Sequence, residues 1–214
     1  MDKINVIKVG GAVVENPASL GELINQFATM PGYKVLVHGG GRSATKIAAQ
    51  LGIESHMVGG RRITDEDMLQ VVTMVYGGLV NKRIVAALQA KGVNAVGLTG
   101  ADMDIIRSHK REPKMVTMDD GSKQLVDFGF VGDVDSANGR RLAALIKPQE
   151  GVEAVVPVVA PLTHDGKGNI LNTNADTMAA TVAKALTEEF EVTLTYCFEK
   201  PGVMADADDD DSVI

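Results

Sequence analysis

A strand that runs directly into a cluster of glycines occurs twice within the first fifty residues of this 214-residue chain. The first apolar run covers residues 4–9 and ends at Gly10 and Gly11, and the second covers 33–37 and ends at His38, which three glycines follow. A helix is predicted after each cluster. Two such units predict a parallel sheet, and both glycine turns then open at its carboxyl edge, where α/β proteins bind ligands.

Lys8 lies near the end of the first strand and would reach the same place as Gly10 and Gly11. Glycine lets backbone N–H groups converge with no Cβ in the way, which makes an anion-binding nest. Neither glycine cluster matches the phosphate loop G-x-x-x-x-G-K-[ST] or the dinucleotide signature G-x-G-x-x-G. The alternative interpretation is an ordinary Gly-Gly turn beside a solvated lysine, and the turn alone does not decide between the two.

Composition narrows the class of protein. A hydrophobic content of 45% with 23% charged residues predicts a globular chain of one large or two small domains. The formal charge of −7 argues against a nucleic-acid surface, although a binder of small phosphates can still be acidic overall. The single cysteine, Cys197, excludes an internal disulfide and fits a reducing cytoplasm. No apolar run approaches the roughly 20 residues of a membrane span, and no signal peptide is visible, so a cytoplasmic location is expected.

A long helix is predicted over residues 65–90, with Thr64 as its N-cap and acidic residues in its first turn. It carries more apolar residues than one face needs. Arg62, just before this helix, is interpreted as either a solvated loop arginine or a clamp for a substrate carboxylate. The Asn172–Asp176 segment precedes another helix and holds more amide and carboxylate groups than capping requires.

The remaining segments complete an alternating α/β pattern. Further strands are predicted at 94–98, 152–159 and 193–198, the second of which contains Pro157 and is therefore expected at a sheet edge or a bulge. Residues 104–134 consist of short β-like runs separated by polar turns, which predicts a hairpin insertion over the sheet edge.

Four motifs, taken together, resemble those of the N-acetylglutamate kinases, which belong to the amino acid kinase superfamily. They are Lys8–Gly11, His38–Gly41, Gly60–Thr64 and Asn172–Asp176, and their order and spacing match that family across essentially the whole chain. The segment Val126–Gly132 resembles the family's β-hairpin. The first motif is shared with other kinases of the superfamily, whereas the set of four is specific.

The resemblance implies a fold and a division into lobes. The fold is α/β: a three-layer αβα sandwich around a mainly parallel central sheet, with a β-hairpin insertion. Residues 1–187 would form the lobe that binds the acylated amino acid and carries a dimer helix, and 188–214 would begin the nucleotide-binding lobe. The family's chains run some tens of residues longer, so we expect that lobe, with a second catalytic lysine, to continue beyond Ile214.

The resemblance also implies a reaction and residue roles. The family uses MgATP to phosphorylate the γ-carboxylate of an N-acylated glutamate in arginine biosynthesis, with the Mg²⁺ held mainly by the phosphates. Lys8 and the N–H groups of Gly10 and Gly11 would stabilise the ATP phosphates, and Asp176 would orient the catalytic lysines. The implied substrate-binding residues, which cradle the reacting carboxylate and hold the α-carboxylate and the acyl amide, are Gly40, Gly41, Arg62 and Asn172. The implied adenine-ribose turn consists of Glu199, Lys200, Pro201, Gly202, Val203 and Met204.

The family usually has Thr-Asp or Ser-Asp where this chain has Phe198-Glu199. The first strand starts at residue 4, without the extra N-terminal helix of arginine-inhibited relatives, so we expect an arginine-insensitive homodimer formed through the 65–90 helix. A kinase for N-succinylglutamate or an aminoadipate derivative is the near alternative. A non-catalytic small-molecule-binding module is the alternative of a different class.

Overall fold

The computed structural model describes residues 1–118, 121–148 and 153–198, together with Ala205 and Ser212. The strands are β1 (Asp2–Val9), β2 (Tyr33–His38), β3 (Met57–Val58), β4 (Arg61–Arg62), β5 (Ala95–Leu98), β6 (Ile106–Lys110), β7 (Lys114–Thr117), β8 (Lys123–Val126), β9 (Gly132–Ala137), β10 (Val156–Val159), β11 (Leu162–His164), β12 (Ile170–Asn172) and β13 (Phe190–Cys197). The α-helices are α1 (Gly11–Glu15), α2 (Pro17–Thr29), α3 (Gly41–Gln50), α4 (Glu66–Val72), α5 (Asn81–Gln89), α6 (Gly139–Ile146) and α7 (Ala175–Leu186). A π-helical stretch, Thr73–Val80, joins α4 to α5.

The central sheet is parallel and has the strand order β13-β1-β2-β10-β5. This confirms the predicted mainly parallel α/β sheet. Pro157 was predicted at a sheet edge or a bulge, and that prediction is wrong because β10 lies between β2 and β5. The interior strand tolerates the proline because its pairing with β2 begins only at Val158, one residue later.

The two faces of the sheet are covered by different helices, which gives the three layers. Along β1 the side chains alternate, so Ile4 and Val6 join a buried cluster with α6 and α7. Ile7 and Val9 face the other way, into a cluster with the helices α1–α5. Because Lys8 shares the parity of Ile4 and Val6, its side chain lies on the α7 face of the sheet.

The long helix predicted over 65–90 is confirmed as the continuous stretch Glu66–Gln89. Its N-cap is Asp65, whose carboxylate accepts from the Met68 N–H at 2.8 Å, and not Thr64 as predicted. Thr64 is fully buried, and its backbone N–H donates to the Phe128 carbonyl oxygen at 2.9 Å. The β-bridge between this threonine and the 126–132 segment therefore moves the helix start one residue along.

Most of the apolar side chains of this helix are used inside the chain. Val71, Val72, Val75 and Val80 are buried in the same cluster as the sheet. The stretch Glu66–Gln89 also has the length and composition of a membrane span, a property that core helices of folded proteins share.

The predicted β insertion over residues 104–134 is confirmed in outline. Strands β6 and β9 belong to a four-stranded sheet with the order β12-β11-β6-β9, and β7 and β8 form a separate antiparallel hairpin. Val126, Phe128 and Val131 bury a small cluster against Val58 and Ile63. The insertion is thereby fixed to the β3–β4 hairpin, which carries Arg62.

Candidate active site

The carboxyl ends of β1 and β2 and the amino ends of α3 and α7 meet at a cavity of about 240 Å³. This is the edge at which the sequence predicted a ligand site. The predicted site residues that line this cavity are Lys8, Gly11, Gly40, Gly41, Arg62, Asn172 and Asp176. Gly10 lines a neighbouring cavity of about 360 Å³, together with Phe198. The proposed adenine-ribose turn, 199–204, lies outside the described residues.

Lys8 and Asp176 form an ion pair with a distance of 2.7 Å between Nζ and Oδ1. The lysine side chain is 11% exposed and the aspartate side chain 55%. Asp176 stands in the first turn of α7, where the Asn174 side chain caps the helix by accepting from the N–H groups of Asp176 and Thr177. The pair brings together the ends of β1 and α7, which are far apart in the sequence, beside the cavity.

The two glycine turns lie against each other and are attached to the sheet in the same way. The Gly10 N–H donates to the Cys197 carbonyl oxygen, and the Gly39 N–H donates to the Val9 carbonyl oxygen, both at 2.9 Å. A Cβ added at Gly39 would lie 3.1 Å from the Gly11 nitrogen, so the close approach requires glycine there. The Gly10 N–H, for which the resemblance implied a role on an ATP phosphate, is thus paired with a carbonyl oxygen of β13 in this structure.

The N–H groups of Gly11, Gly40 and Gly41 have no hydrogen-bond acceptor among the described residues. Gly11 begins α1 and Gly41 begins α3, so both belong to the unpaired donors of a helix amino end. Three N–H donors at one cavity, with Lys8 beside them, make a site for anionic oxygens.

Arg62 is buried, and its guanidinium donates to several groups around the start of α3. Its Nη2 donates to the Gly41 carbonyl oxygen at 2.8 Å and to Thr45 Oγ1 at 2.9 Å, and its Nη1 donates to Ser55 Oγ. All of these partners are uncharged. No carboxylate of the described residues forms an ion pair with Arg62, so among those residues its positive charge has no acidic partner.

Tyr76 and Arg111 line the same cavity and were not identified from the sequence. The Tyr76 ring packs on Gly40, and burial raises the pKa of its hydroxyl, although the neighbouring Arg62 opposes that shift. The Arg111 guanidinium donates from Nε to Asp133 Oδ2 at 3.0 Å, and these hydrogen bonds lower the pKa of the Asp133 carboxyl. Arg111 follows a short strand in a polar segment, and no local pattern distinguishes it from a solvated arginine.

Asn172 connects the wall of the cavity to the β insertion. Its side-chain Nδ2 donates to Thr64 Oγ1 at 3.0 Å, and its backbone N–H donates to the Phe130 carbonyl oxygen at 2.8 Å. Two elements that precede it in the chain by at least forty residues therefore hold this side chain in place.

Comparison with known proteins identifies the family of the chain. The sequence profile of the amino acid kinase family matches residues 3–212. The acetylglutamate kinase of Bacteroides thetaiotaomicron is 64% identical over 213 residues, which are 100% of this chain and 77% of that protein. The acetylglutamate kinase of Phocaeicola vulgatus is 62% identical with the same coverage. The crystal structure of smu.665 from Streptococcus mutans UA159 is similar with a TM-score of 0.74 at 26% identity, over 94% of this chain and 74% of that one. The predicted resemblance is confirmed, and the chain belongs to the amino acid kinase family.

Proposed function

We propose that this protein transfers the γ-phosphoryl group of ATP to the γ-carboxylate of an N-acyl-L-glutamate, N-acetylglutamate first, in arginine biosynthesis. The observation that carries the proposal is one cavity that joins the Lys8–Asp176 ion pair, three unpaired N–H groups and Arg62. The relatives at 62% and 64% identity bear the name acetylglutamate kinase, which supports the same reaction here.

The reaction needs little covalent help from the protein. A carboxylate oxygen of the substrate attacks the γ-phosphorus, the bond from that phosphorus to the β–γ bridging oxygen breaks, and ADP leaves with the electron pair. Because the carboxylate is already ionised at neutral pH, no proton has to be removed. The task is to hold two anions in line and to neutralise the charge of the transferring group.

Each part of the site supports one of these tasks. The Lys8 ammonium and the Gly11 N–H suit the γ-phosphoryl oxygens, and the Gly40 and Gly41 N–H groups suit the attacking carboxylate. Arg62, which has no acidic partner among the described residues, suits the α-carboxylate of the acylglutamate. Asp176 holds the Lys8 ammonium in place at 2.7 Å.

The proposed cofactor is Mg²⁺ bound to the nucleotide. The described residues contain no cluster of three or more His, Cys, Asp or Glu side chains that could hold a metal ion. Among the described residues, Asp176 is the acidic residue that lines the 240 Å³ cavity, and it is paired with Lys8. This arrangement fits an ion held mainly by the oxygens of the ATP phosphates.

The proposed assembly is a cytoplasmic homodimer with the 65–90 helix at its interface. Met74 and Leu79 on this helix are 53% and 44% exposed, although their apolar neighbours are buried within the chain. Light scattering should give the mass of a dimer at micromolar concentration, and Leu79→Asp should shift it toward the monomer. A monomeric wild-type protein would contradict this part of the proposal.

An assay coupled to ADP release tests the proposed reaction. N-acetylglutamate, N-succinylglutamate and N-acetylaminoadipate are supplied in turn with MgATP. We expect the fastest release of ADP with N-acetylglutamate, and a faster release with either of the others would assign the protein to that substrate. ADP release that no acylated amino acid accelerates would contradict the kinase proposal and favour a non-catalytic binding module.

A further inference from the structure

His38 is completely buried beneath the second glycine turn, at the carboxyl end of β2. Its Nδ1 lies 2.8 Å from the Gly39 carbonyl oxygen, and its Nε2 lies 3.1 Å from Nδ2 of Asn81, a buried residue of α5. The imidazole therefore touches the backbone of the turn but none of the groups assigned above to phosphate or substrate.

The surroundings of Asn81 determine which imidazole nitrogen carries the proton. Its Nδ2 also donates to the Val158 carbonyl oxygen at 2.9 Å, and its Oδ1 accepts from the Lys82 ammonium at 3.1 Å. These two contacts fix the orientation of the amide, so a donor faces His38 Nε2. The Nε2 atom must then accept, and the proton resides on Nδ1, which donates to the Gly39 carbonyl oxygen.

This hydrogen bond sets the direction of one peptide group. The Gly39 carbonyl and the Gly40 N–H belong to the same trans peptide, in which C=O and N–H point in opposite directions. When the carbonyl is held down on the imidazole, the Gly40 N–H points away from it. The Gly40 nitrogen lies 3.5 Å from the position of a Cβ added at Gly11, so this peptide borders the first glycine turn.

Glycine by itself would not hold this orientation. A glycine turn has a wide choice of backbone angles, and the flanking Gly39, Gly40 and Gly41 give no steric reason for the peptide to keep one direction. A flipped peptide would present a carbonyl oxygen to the cavity, where it would repel the anion that the N–H attracts. The buried imidazole is the feature of the turn that opposes such a flip.

We propose that His38, oriented by Asn81, is a positioning residue that holds the Gly39–Gly40 peptide with its N–H toward the reacting carboxylate. The proposal rests on the proposed kinase function for its activity readout. It assigns His38 no contact with the substrate. Its effect on the reaction runs entirely through the backbone of the turn.

Two substitutions of His38 each keep one hydrogen bond of the imidazole and remove the other. His38→Asn can keep a donor at the place of Nδ1, whereas His38→Gln can keep an acceptor at the place of Nε2 and loses the bond to the Gly39 carbonyl. Loss of one oriented donor typically costs 10²- to 10³-fold in kcat. We therefore expect kcat to fall on the order of 100-fold in His38→Gln. In His38→Asn the loss of kcat should be smaller than this by a factor of about ten or more.

Lys34→Met provides the matched control for stability. Lys34 lies on the same face of β2, four residues earlier, and its buried ammonium donates to the carbonyl oxygens of Phe27, Ala28 and Met30 at the end of α2. Its loss should destabilise the fold while kcat stays near the wild-type value. The comparison shows how much of any activity loss follows from stability alone.

The outcomes distinguish this proposal from the proposed function. Nitrogen-15 NMR of the histidines should show His38 as the Nδ1–H tautomer, and this readout needs no activity. An Nε2–H tautomer, or equal kcat losses in the two His38 variants at similar stability, would overturn the positioning role. A wild-type protein that forms no acyl phosphate would contradict the kinase function and would leave the tautomer measurement to decide on His38.

Discussion

The two glycine turns of this protein share one backbone plan and differ in the side chain that accompanies them. In both, the first glycine after the strand donates its N–H to a carbonyl of the neighbouring strand at 2.9 Å, and a helix begins at or next to the last glycine. The turn after β1 has Lys8, whose side chain lies on the α7 face. The turn after β2 has His38, which lies on the face of α5.

The two side chains differ in charge, Lys8 being positive and His38 neutral. Lys8 keeps an ammonium at the cavity, paired with Asp176. His38 is neutral, because burial lowers its pKa to about 4 and the nearby Lys82 acts in the same direction. In the proposed reaction, one turn therefore supplies a positive charge for the phosphoryl group, and the other supplies N–H donors for the carboxylate. The proposal thus binds the two anions side by side, one next to the Lys8 ammonium and the other next to the N–H groups of the second turn.

The largest expected effect concerns the charged turn. Lys8→Met should lower kcat by about 10²- to 10³-fold, because the ammonium stabilises charge that develops during transfer. The KM for acylglutamate should change little. Steady-state kinetics measure both constants, and Lys3→Met, an exposed lysine of the same strand, is the control. A Lys8→Met variant with near-wild-type kcat would remove this charge from the mechanism.

The buried, neutral His38 of the second turn should make the stability of the fold sensitive to acid. The folded pKa of His38, about 4, lies below the ordinary 6.5, so the unfolded chain takes up the proton more readily. Stability is therefore fully present above pH 6.5 and is lost as the pH falls toward 4, by roughly 3 kcal/mol in total. Urea unfolding across this pH range measures the loss. His38→Asn should flatten this part of the profile, and an unchanged slope would show that other groups cause it.

Substitution of Arg62 tests whether binding of the acylated amino acid depends on the paired N–H donors of a guanidinium group. Arg62→Lys should raise the KM for acylglutamate by about 10- to 100-fold, the scale of losing one hydrogen bond to a charged group, because lysine cannot reproduce the planar geometry. The KM for ATP should change much less. Arg140→Lys, an exposed arginine that does not line this cavity, is the control. Equal increases in both KM values would show that Arg62 does not select the acylated amino acid.

The smallest expected effect concerns how tightly the two glycine turns are packed. A Cβ at Gly40 would lie 2.9 Å from the Tyr76 ring, whereas the nearest atom to a Cβ at Gly11 is 3.5 Å away. Gly40→Ala should therefore lower the free energy of unfolding by about 1–3 kcal/mol, and Gly11→Ala should lower it less. Denaturant unfolding of both variants measures the difference. Equal losses would indicate that the two turns are packed alike.

The sequence predicted those features that local patterns determine. The β-branched runs before the glycines gave the parallel sheet, and the alternation within β1 is enough to put Lys8 on the side of Ile4 and Val6. The long helix was recognised by its apolar residues. The motifs identified Arg62 and Asp176 as site residues, and the structure puts both at one cavity.

Features that depend on tertiary contacts were missed. Thr64 looks like an N-cap, but a β-bridge to Gly129 occupies its backbone, and Asp65 caps the helix in its place. Pro157 can stand in an interior strand because the pairing of β10 with β2 begins only after it. The sequence of β10 alone does not reveal where that pairing begins. The contact between His38 and Asn81 joins residues 43 positions apart, and a motif ending in glycines gives no indication of its partner.

The most direct test of the proposed phosphoryl transfer is the identity of the product. Phosphorus-31 NMR of the protein incubated with MgATP and N-acetylglutamate should show an acyl phosphate that accumulates in step with ADP. Added hydroxylamine should convert it to the hydroxamate, and the Lys8→Met variant should form it far more slowly. Release of inorganic phosphate without an acyl phosphate, or no consumption of ATP at all, would contradict the claim that the two glycine turns hold a phosphoryl donor and a carboxylate acceptor together.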